Sequence, residues 1–304
     1  MSDAPPTSGD RKMSETPASS SQTHWGRERR LAFIDFRLLW ERRLNRRDLK
    51  DFFGISTPQA SADIQAYRRA APKNMVYDAS QKTYVATDDF EPAFVSGNAS
   101  SYLGELQDVS TGHTAKNASF IGFAPDFGAL PIPRRNVDRP TLIAILEAIR
   151  EQRALEFLYQ SMSSPEPSWR WISPHALASN GQRFHIRAYC HKRESFRDFV
   201  LSRVLEVGRY SGTRVTAEDD IDWSRRVTVR FAAHPELTEG QRRAIEREYD
   251  MDKGEKRVTV RAALAFYLLQ RLNLDAESEK RSPVARQIVL LNPDELHEFR
   301  GSSL

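Results

Sequence analysis

The chain has 304 residues, about twice the length of a typical single domain, so we expect more than one domain. A content of 39% hydrophobic and 28% charged residues is that of a globular protein, and no apolar run approaches the roughly 18 residues needed to cross a bilayer. The single cysteine, Cys190, excludes internal disulfides and paired-cysteine metal or redox motifs. The net charge of +4 is compatible with an anionic partner. The N-terminus lacks the apolar core of a secretory signal, so we expect a cytoplasmic protein without membrane contacts.

The N-terminal quarter has the pattern of a winged helix-turn-helix domain. Residues 1–24 are rich in Ser, Thr and Pro, which predicts a disordered tail. A helical apolar pattern then covers residues 27–44, and a second short helix runs from Arg46 to Phe53. A third helix ends near residue 70, and two short strands follow around a polar loop. This order predicts a DNA-binding domain over residues 25–90.

The third predicted helix is the candidate for insertion into a major groove, where residues near a helix N-terminus contact base edges. The candidate DNA contacts of this helix and of the hairpin tip are Thr57, Gln59, Ala60, Ser61, Gln65, Arg68 and Lys82. Glutamine can bond adenine in two places, and Arg or Lys can reach phosphate. The alternative is a solvated polar face, but the many basic residues of the first two helices favour DNA.

The rest of the chain predicts a connector and two further domains. Residues 91–152 hold many Gly, Ser, Asn and Pro residues and end in a helix, which predicts an interdomain connector. Five short strands over residues 153–215 predict a small β-barrel. Residues 222–304 alternate between strands and helices and predict a small α+β domain. The expected fold class is therefore multidomain α+β. The apolar face of the last long helix is the candidate dimer contact, through Ala263, Phe266, Tyr267 and Leu269.

Catalytic signatures are missing from the sequence. Phosphate-binding loops, dinucleotide-binding glycine motifs, zinc-protease motifs and serine-nucleophile motifs do not occur. His175, His185 and His191, together with Cys190, match no familiar zinc spacing. We therefore expect no catalytic residues, no metal and no cofactor.

A polar stripe is predicted on the barrel. If residues 183–189 form a strand, Phe184, Ile186 and Ala188 face the core. Alternation and residue parity then place one set of polar side chains on the other face: Arg183, His185, Arg187, Tyr189, Arg197 and Arg203. Convergent Arg and His donors suit a phosphate-bearing ligand or nucleic acid. A solvated sheet face with scattered ion pairs explains the pattern equally well, and both interpretations stay open on the residues alone.

The barrel sequence resembles a known family. The segments 181–190 and 196–204 are similar to the core of the WYL domain, an Sm-like or SH3-like β-barrel of bacterial transcription regulators. The Trp-Tyr-Leu triplet that names that domain is Phe184-His185-Ile186 here. Segments around residues 159–162, 171–177 and 63–84 resemble the BrxR/CapW-like repressors, a subgroup that controls bacterial anti-phage defence systems.

This resemblance implies a homodimeric repressor that binds double-stranded DNA at an inverted-repeat operator. It implies an N-terminal winged helix, a central WYL sensor released by an unidentified nucleotide or nucleic-acid effector, and a C-terminal dimerisation domain. The family's sensor residues correspond to Ser173, His175, His185, Arg187, Arg197 and Arg203. Two other functions remain: a module that binds RNA or single strands on the barrel surface, and, with least support, an enzyme acting on a nucleotide.

Overall fold

The computed structural model describes residues 19–130, 133 and 135–300, and the chain divides into two compact units between Ile132 and Pro133. Most of the predicted disordered tail lies outside the described residues. Its last part does not: the first helix already begins at Ser19. None of the described helices is long and apolar enough to span a membrane.

The first unit contains the predicted winged helix-turn-helix. Its elements in chain order are α1 (Ser19–Glu41), β1 (Arg43–Leu44), α2 (Arg46–Phe53), α3 (Thr57–Ala70), β2 (Met75–Asp78), β3 (Thr83–Ala86) and α4 (Ala99–Ser110).

Local signals fix the helix-turn-helix. The N-cap Asn45 of α2 forms a reciprocal capping box with Asp48. Helix α2 stops at Gly54, whose φ of 64° is the left-handed conformation that glycine adopts without steric cost. Ser56 then caps α3 by accepting a hydrogen bond from the backbone N–H of Gln59. The predicted bounds of α2 and α3 are therefore confirmed.

The wing is a three-stranded antiparallel sheet in the order β1-β3-β2, where two strands were predicted. The prediction that the first helix continues to Leu44 was wrong. The helix ends at Glu41, Arg42 takes a positive φ of 60°, and Leu44 pairs with Tyr84 as a short strand. Burial of Leu44 in this sheet outweighs its helical pattern.

Residues 91–130, which were predicted to be part of an interdomain connector, belong to the first compact unit. Asp35, which is fully buried on α1, explains part of this attachment. One of its carboxylate oxygens accepts hydrogen bonds from the backbone N–H groups of residues 93–95, at 2.7 to 3.1 Å. The other accepts the hydroxyl of Tyr67 on α3. A buried carboxylate needs such donors, and the chain after the wing provides them.

A second attachment lies farther along. Phe120 packs against aromatic rings of α1 and α2, including Phe33 at 5.4 Å between ring centroids. The backbone N–H of Gly122 donates to Glu41 at 2.7 Å. A Cβ at Gly122 would lie 1.6 Å from the guanidinium of Arg37, so a larger residue would force the Arg37 side chain to move.

The second unit contains two sheets with separate hydrophobic cores. Its elements are α5 (Arg139–Arg150), β4 (Arg153–Tyr159), β5 (Ser168–Ser179), β6 (Phe184–Cys190), β7 (Ser195–Val200), β8 (Val204–Gly212), α6 (Ile221–Ser224), β9 (Arg226–Ala233), α7 (Glu239–Glu248), β10 (Lys256–Arg261), α8 (Ala262–Arg271), α9 (Pro283–Arg286), β11 (Ile288–Leu290) and α10 (His297–Arg300).

The five predicted barrel strands form one antiparallel sheet in the order β7-β6-β5-β4-β8. A single 3₁₀ turn joins the two edge strands, and Leu201 in this turn enters the core. Helix α5 packs Ile145 and Ala148 onto the same core. In the C-terminal part, β10, β9 and β11 form a three-stranded antiparallel sheet that packs against α7 and α8.

The face of α8 predicted as a dimer contact is used largely within the chain. Leu269 is fully buried in the core of the C-terminal part. Tyr267 donates its hydroxyl hydrogen bond to Asp198 of β7 at 3.0 Å. The sequence pattern could not separate a partner chain from the barrel of the same chain, because either would cover an apolar helix face.

We predict that Phe120→Ala destabilises the first unit by about 2–3 kcal/mol, because it removes a partly buried ring from an aromatic cluster. The matched control is Phe123→Ala, whose ring is 68% exposed and whose loss we expect to change stability by less than about 0.5 kcal/mol. Denaturant unfolding of the full chain, followed by circular dichroism, measures both variants. Equal stabilities of the two variants would contradict the attachment of residues 91–130.

Candidate functional site

The exposed surface of α3 carries four of the seven predicted DNA contacts. Thr57, Gln65 and Arg68 are exposed and Ser61 is half-buried. Their spacing of three and four residues places them in one stripe along the helix. The Ser61 hydroxyl donates to the carbonyl of Thr57 at 3.0 Å, which occupies its hydrogen at the start of the stripe. Gln65 has no side-chain hydrogen bond to any described residue.

Two of the predicted contacts lie elsewhere on α3. Ala60 is fully buried in the core of the first unit, so its prediction as a base contact was wrong. Gln59 is exposed but lies beside the stripe, and its amide nitrogen donates to both carboxylate oxygens of Asp63 at 3.1 Å. Asp63 is also paired with Arg30 of α1 at 2.6 Å. Helical periodicity predicts which residues share a face of the helix. Only the packing of the folded domain shows which of these faces is covered.

The wing presents Lys82 in the turn between β2 and β3. Its side chain is exposed, and its backbone φ of 51° helps to close this tight turn. Val76 and Tyr77 on β2 are also more than half exposed. A basic tip beside apolar and aromatic groups suits contact with a phosphate backbone and sugars.

In the second unit, the predicted polar stripe of β6 is covered by other parts of the chain. Arg187 is only 6% exposed. Its guanidinium makes two parallel hydrogen bonds to Asp220, at 2.7 and 3.0 Å, and a third to Asp198 at 3.3 Å. Asp198 in turn accepts the hydroxyl of Tyr267. The stripe is therefore neither an open ligand surface nor a solvated face, but a polar interface inside the second unit.

His175 and Ser173, both predicted effector contacts, lie on β5. A β-bulge between Pro174 and Ala176 leaves His175 without a cross-strand partner, and its Nε2 lies 2.9 Å from Asp220. Ser173 belongs to a separate polar group, in which its hydroxyl contacts His191 and Thr213 at 2.8 Å each.

His185 is buried next to Arg187 on the same strand. Its ring stacks on Tyr267 with centroids 5.1 Å apart, and its Nδ1 has no hydrogen-bond partner among the described residues. Burial lowers the pKa of His185; the charge of Asp198 opposes this shift, while those of Arg183 and Arg203 add to it. Arg203 lies half-buried in the 3₁₀ turn after β7.

The pairing of β6 with β7 overturns one prediction, and the exposure of Phe184 overturns another. Arg197 stands opposite Ala188, and Arg187 stands opposite Asp198. Directly opposite residues share a face, so exposed Arg197 lies on the other side of the sheet from Arg187. Phe184, predicted to face the core, is 60% exposed because it lies at the end of the strand, beyond the core.

The buried charges stabilise one another. Burial acts to lower the pKa of Arg187, but its bonds to Asp220 and the charge of Asp198 outweigh this effect and leave it raised. Burial acts to raise the pKa of Asp220, and Arg187 and His175 outweigh that effect and leave it lowered. Both groups are therefore charged at neutral pH. The described residues contain no group of three or more His, Cys, Asp or Glu side chains that could hold a metal ion.

Sequence reasoning missed Asp220, Asp198 and Tyr267 as members of this site. A signal for Asp220 was present, because an acidic run at residues 218–222 follows the barrel directly. Asp63 beneath Gln59 was missed as well; its signal was an aspartate within the buried pattern of a helix.

Family models match three parts of the chain in this order. The BrxR transcriptional regulator winged helix-turn-helix domain matches residues 26–108. The WYL domain matches residues 140–208. The C-terminal dimerization domain of the BrxR transcriptional regulator matches residues 226–296. These matches confirm the predicted fold class, and the first one extends into α4, in agreement with the structure.

Curated relatives align with nearly the whole chain. The DNA-binding transcriptional repressor CapW of Escherichia coli is 41% identical over 90% of this chain and 91% of its own. The proteins of the same name from Stenotrophomonas maltophilia and Pseudomonas aeruginosa are 41% and 42% identical, over 93% and 90% of this chain and 95% and 92% of their own.

Among solved structures, proteasome accessory factor B/C of Arthrobacter aurescens aligns with 90% of this chain at 17% identity and a TM-score of 0.29. The alignment spans 45% of that protein's length. The family models and the curated relatives agree with each other along the chain. The chain belongs to the BrxR/CapW family of WYL-domain transcriptional regulators.

Proposed function

We propose that this protein is a DNA-binding transcriptional repressor without catalytic activity, that it acts as a homodimer on an inverted-repeat operator, and that an anionic effector releases it. One observation carries the proposal: three relatives named DNA-binding transcriptional repressors share 41–42% identity with the chain through all three domains. Identity at that level preserves the fold of each domain.

The DNA contacts in this proposal are the exposed stripe of α3 and the tip of the wing. Gln65 supplies an unpaired amide for a base edge, and Arg68 and Lys82 supply charge for phosphates. A homodimer presents two copies of α3, which is the arrangement that reads two halves of an inverted repeat. The C-terminal domain, matched by a dimerization family, holds the two chains together.

The effector in this proposal is a nucleotide or a nucleic acid that acts through the WYL domain. The support is chemical: Arg187 and His175 are a guanidinium and an imidazole directed at one carboxylate, and phosphate groups are bound in the same way. The controlled genes are the protein's own gene and a neighbouring phage-defence operon, as the resemblance to BrxR/CapW-like repressors implies. A module that binds RNA on the barrel surface receives less support, because His185 and Arg187 are buried.

Protection mapping on the DNA upstream of the gene tests the proposal. We expect the full chain to protect two half-sites, separated centre to centre by about 10 base pairs or a multiple of that distance. Light scattering at the same concentration should give the mass of a dimer. Preferential binding of single-stranded RNA, or no protection of duplex DNA, would contradict the proposed function.

We predict that Gln65→Ala weakens operator binding by about 1–3 kcal/mol and changes binding to random duplex DNA little, because glutamine reads bases and not phosphates. Gln59→Ala should have a smaller effect, since the Gln59 amide nitrogen is already bonded to Asp63. Gel-shift titrations on both DNAs measure the two variants. A larger loss for Gln59→Ala would assign base contact to the flank of α3 and not to the stripe.

We predict that Arg68→Ala weakens operator and random DNA equally and reduces the slope of log affinity against log salt by about one, because a phosphate contact releases a counterion. Titrations at several salt concentrations measure this slope. Arg197→Ala is the control, because it removes an exposed arginine from the other compact unit. A loss confined to the operator would indicate that Arg68 contacts a base.

A further inference from the structure

The site with the most concentrated chemistry outside α3 surrounds Asp220. This carboxylate is 1% exposed. Its two oxygens accept the two parallel bonds from Arg187, the backbone N–H of Trp223 donates to one of them at 3.1 Å, and Nε2 of His175 lies 2.9 Å from the other. A guanidinium holds the carboxylate or phosphate of a bound ligand with the same pair of parallel bonds.

The two side chains that contact Asp220 come from one face of the barrel sheet, whereas Asp220 itself comes from a connecting segment. Arg187 and His175 lie on neighbouring strands of the barrel sheet. Asp220 lies between β8 and α6, in the segment that leads from the barrel to the C-terminal sheet. The site therefore consists of a guanidinium and an imidazole on the barrel domain. It is occupied by an acidic side chain from the segment that connects this domain to the C-terminal domain.

One atom of the site is unsatisfied. The side chain of His175 is 9% exposed, and its Nδ1 has no hydrogen-bond partner among the described residues. Its ring packs edge to face against Phe196 and Trp223, at 5.6 and 5.7 Å between centroids. Buried polar atoms are nearly always paired, so the Asp220 carboxylate leaves part of the hydrogen-bonding capacity of this site unused.

We propose that the Asp220 carboxylate occupies the effector's binding site when no effector is bound, and that a carboxylate- or phosphate-bearing effector releases the repressor by displacing Asp220 from Arg187 and His175. The inference rests on the proposed function, because it specifies how the effector of that function acts. Removal of Asp220 without a replacement would leave the buried guanidinium of Arg187 with only its longer bond to Asp198, which is costly. Exchange of one anion for another keeps Arg187 paired and puts Asp220 into water.

The displacement has a structural consequence for the link. Asp220 caps the short helix α6, and α6 leads directly into β9 of the C-terminal sheet. Arg187 also holds Asp198, which accepts the hydroxyl of Tyr267 on α8. An anion at Arg187 therefore acts on two of the contacts between the barrel sheet and the C-terminal part. Release of DNA then requires that the effector prefers the state in which Asp220 is displaced.

Chemical rescue tests this inference. Asp220→Ala removes the internal carboxylate and leaves its site to be filled by a small anion from solution. We expect sodium acetate to raise the thermal midpoint of Asp220→Ala by about 3 °C at ten times its dissociation constant, relative to sodium chloride at equal ionic strength. Wild type should bind acetate at least ten-fold more weakly, because Asp220 competes with it.

Three matched variants isolate the site. Asp222→Ala removes an exposed carboxylate two residues away and should respond to acetate like wild type. The double variant Asp220→Ala/Arg187→Ala lacks the guanidinium and should show no rescue. If Asp220→Ala does not fold, Asp220→Asn, which keeps the size of the side chain without its charge, replaces it in the same titrations.

Separate arms identify the anion. Inorganic phosphate replaces acetate in one arm, and a short oligonucleotide with and without a 5′-phosphate replaces it in another. Stabilisation by acetate alone indicates a carboxylate effector, and stabilisation that needs the terminal phosphate indicates a nucleotide or a nucleic-acid end.

The inference is overturned if no anion stabilises Asp220→Ala or Asp220→Asn more than Asp222→Ala, or if the double variant is rescued equally. Operator titrations of wild type in chloride separate this failure from failure of the proposed function. If wild type binds the operator but rescue fails, only the role of Asp220 is lost. If wild type does not bind the operator, the proposed function fails whatever the anions do.

Discussion

A buried guanidinium must be paired, and the arrangement of the second unit around Arg187 follows from that constraint. Arg187 extends from the face of β6 that does not contain the hydrophobic core, and two carboxylates are brought to it: Asp198 from the neighbouring strand and Asp220 from the link after β8. Tyr267 on α8 completes the arrangement through Asp198. The domains of this unit are thus joined by charges and hydrogen bonds whose partners must all be present together.

The first unit uses its buried charges differently. Asp35 lies on α1 and Asp63 on the covered side of α3, and each accepts hydrogen bonds from other elements of the same unit. These contacts fix the covered side of α3 and leave Gln65 and Arg68 exposed on the other side. A helix held in this way loses little conformational entropy when it binds DNA, because its orientation is already set. The polar groups of the two units therefore differ in use: one set fixes a surface for a partner, and the other joins two domains.

Features specified by neighbouring residues could be predicted from the sequence. The caps at Ser56 and Gly54 define α3 and the end of α2 within a few residues, and alternation located all five barrel strands. Features that depend on pairing between segments could not. Cys190 pairs with Ser195 across the turn, so an odd-numbered residue of β6 shares its face with an even-numbered residue of β7. Arg197 was placed on the wrong face because residue parity does not carry across a turn.

The same limit explains the missed parts of the candidate sites. The bulge at His175 changes the direction of a side chain, and its local signal, Pro174 within a strand, does not tell which way that side chain points. The covering of the polar stripe by Asp220 and Tyr267 joins residues more than thirty positions apart in sequence. A stripe of Arg and His residues on a strand indicates a polar environment on that face. Whether water, a ligand or another part of the chain provides that environment depends on the tertiary structure.

The carboxylate of Asp35 has a consequence for how the first unit opens. Residues 93–95 belong to no helix or strand, yet their three N–H groups share one buried acceptor with the N-terminal helix. If this segment detached alone, the carboxylate would remain inside the domain with only the hydroxyl of Tyr67 as a donor. That intermediate is so unfavourable that the segment, α1 and α3 should open together as one cooperative unit. An irregular stretch of chain is therefore expected to show the slow hydrogen exchange usually associated with a core helix.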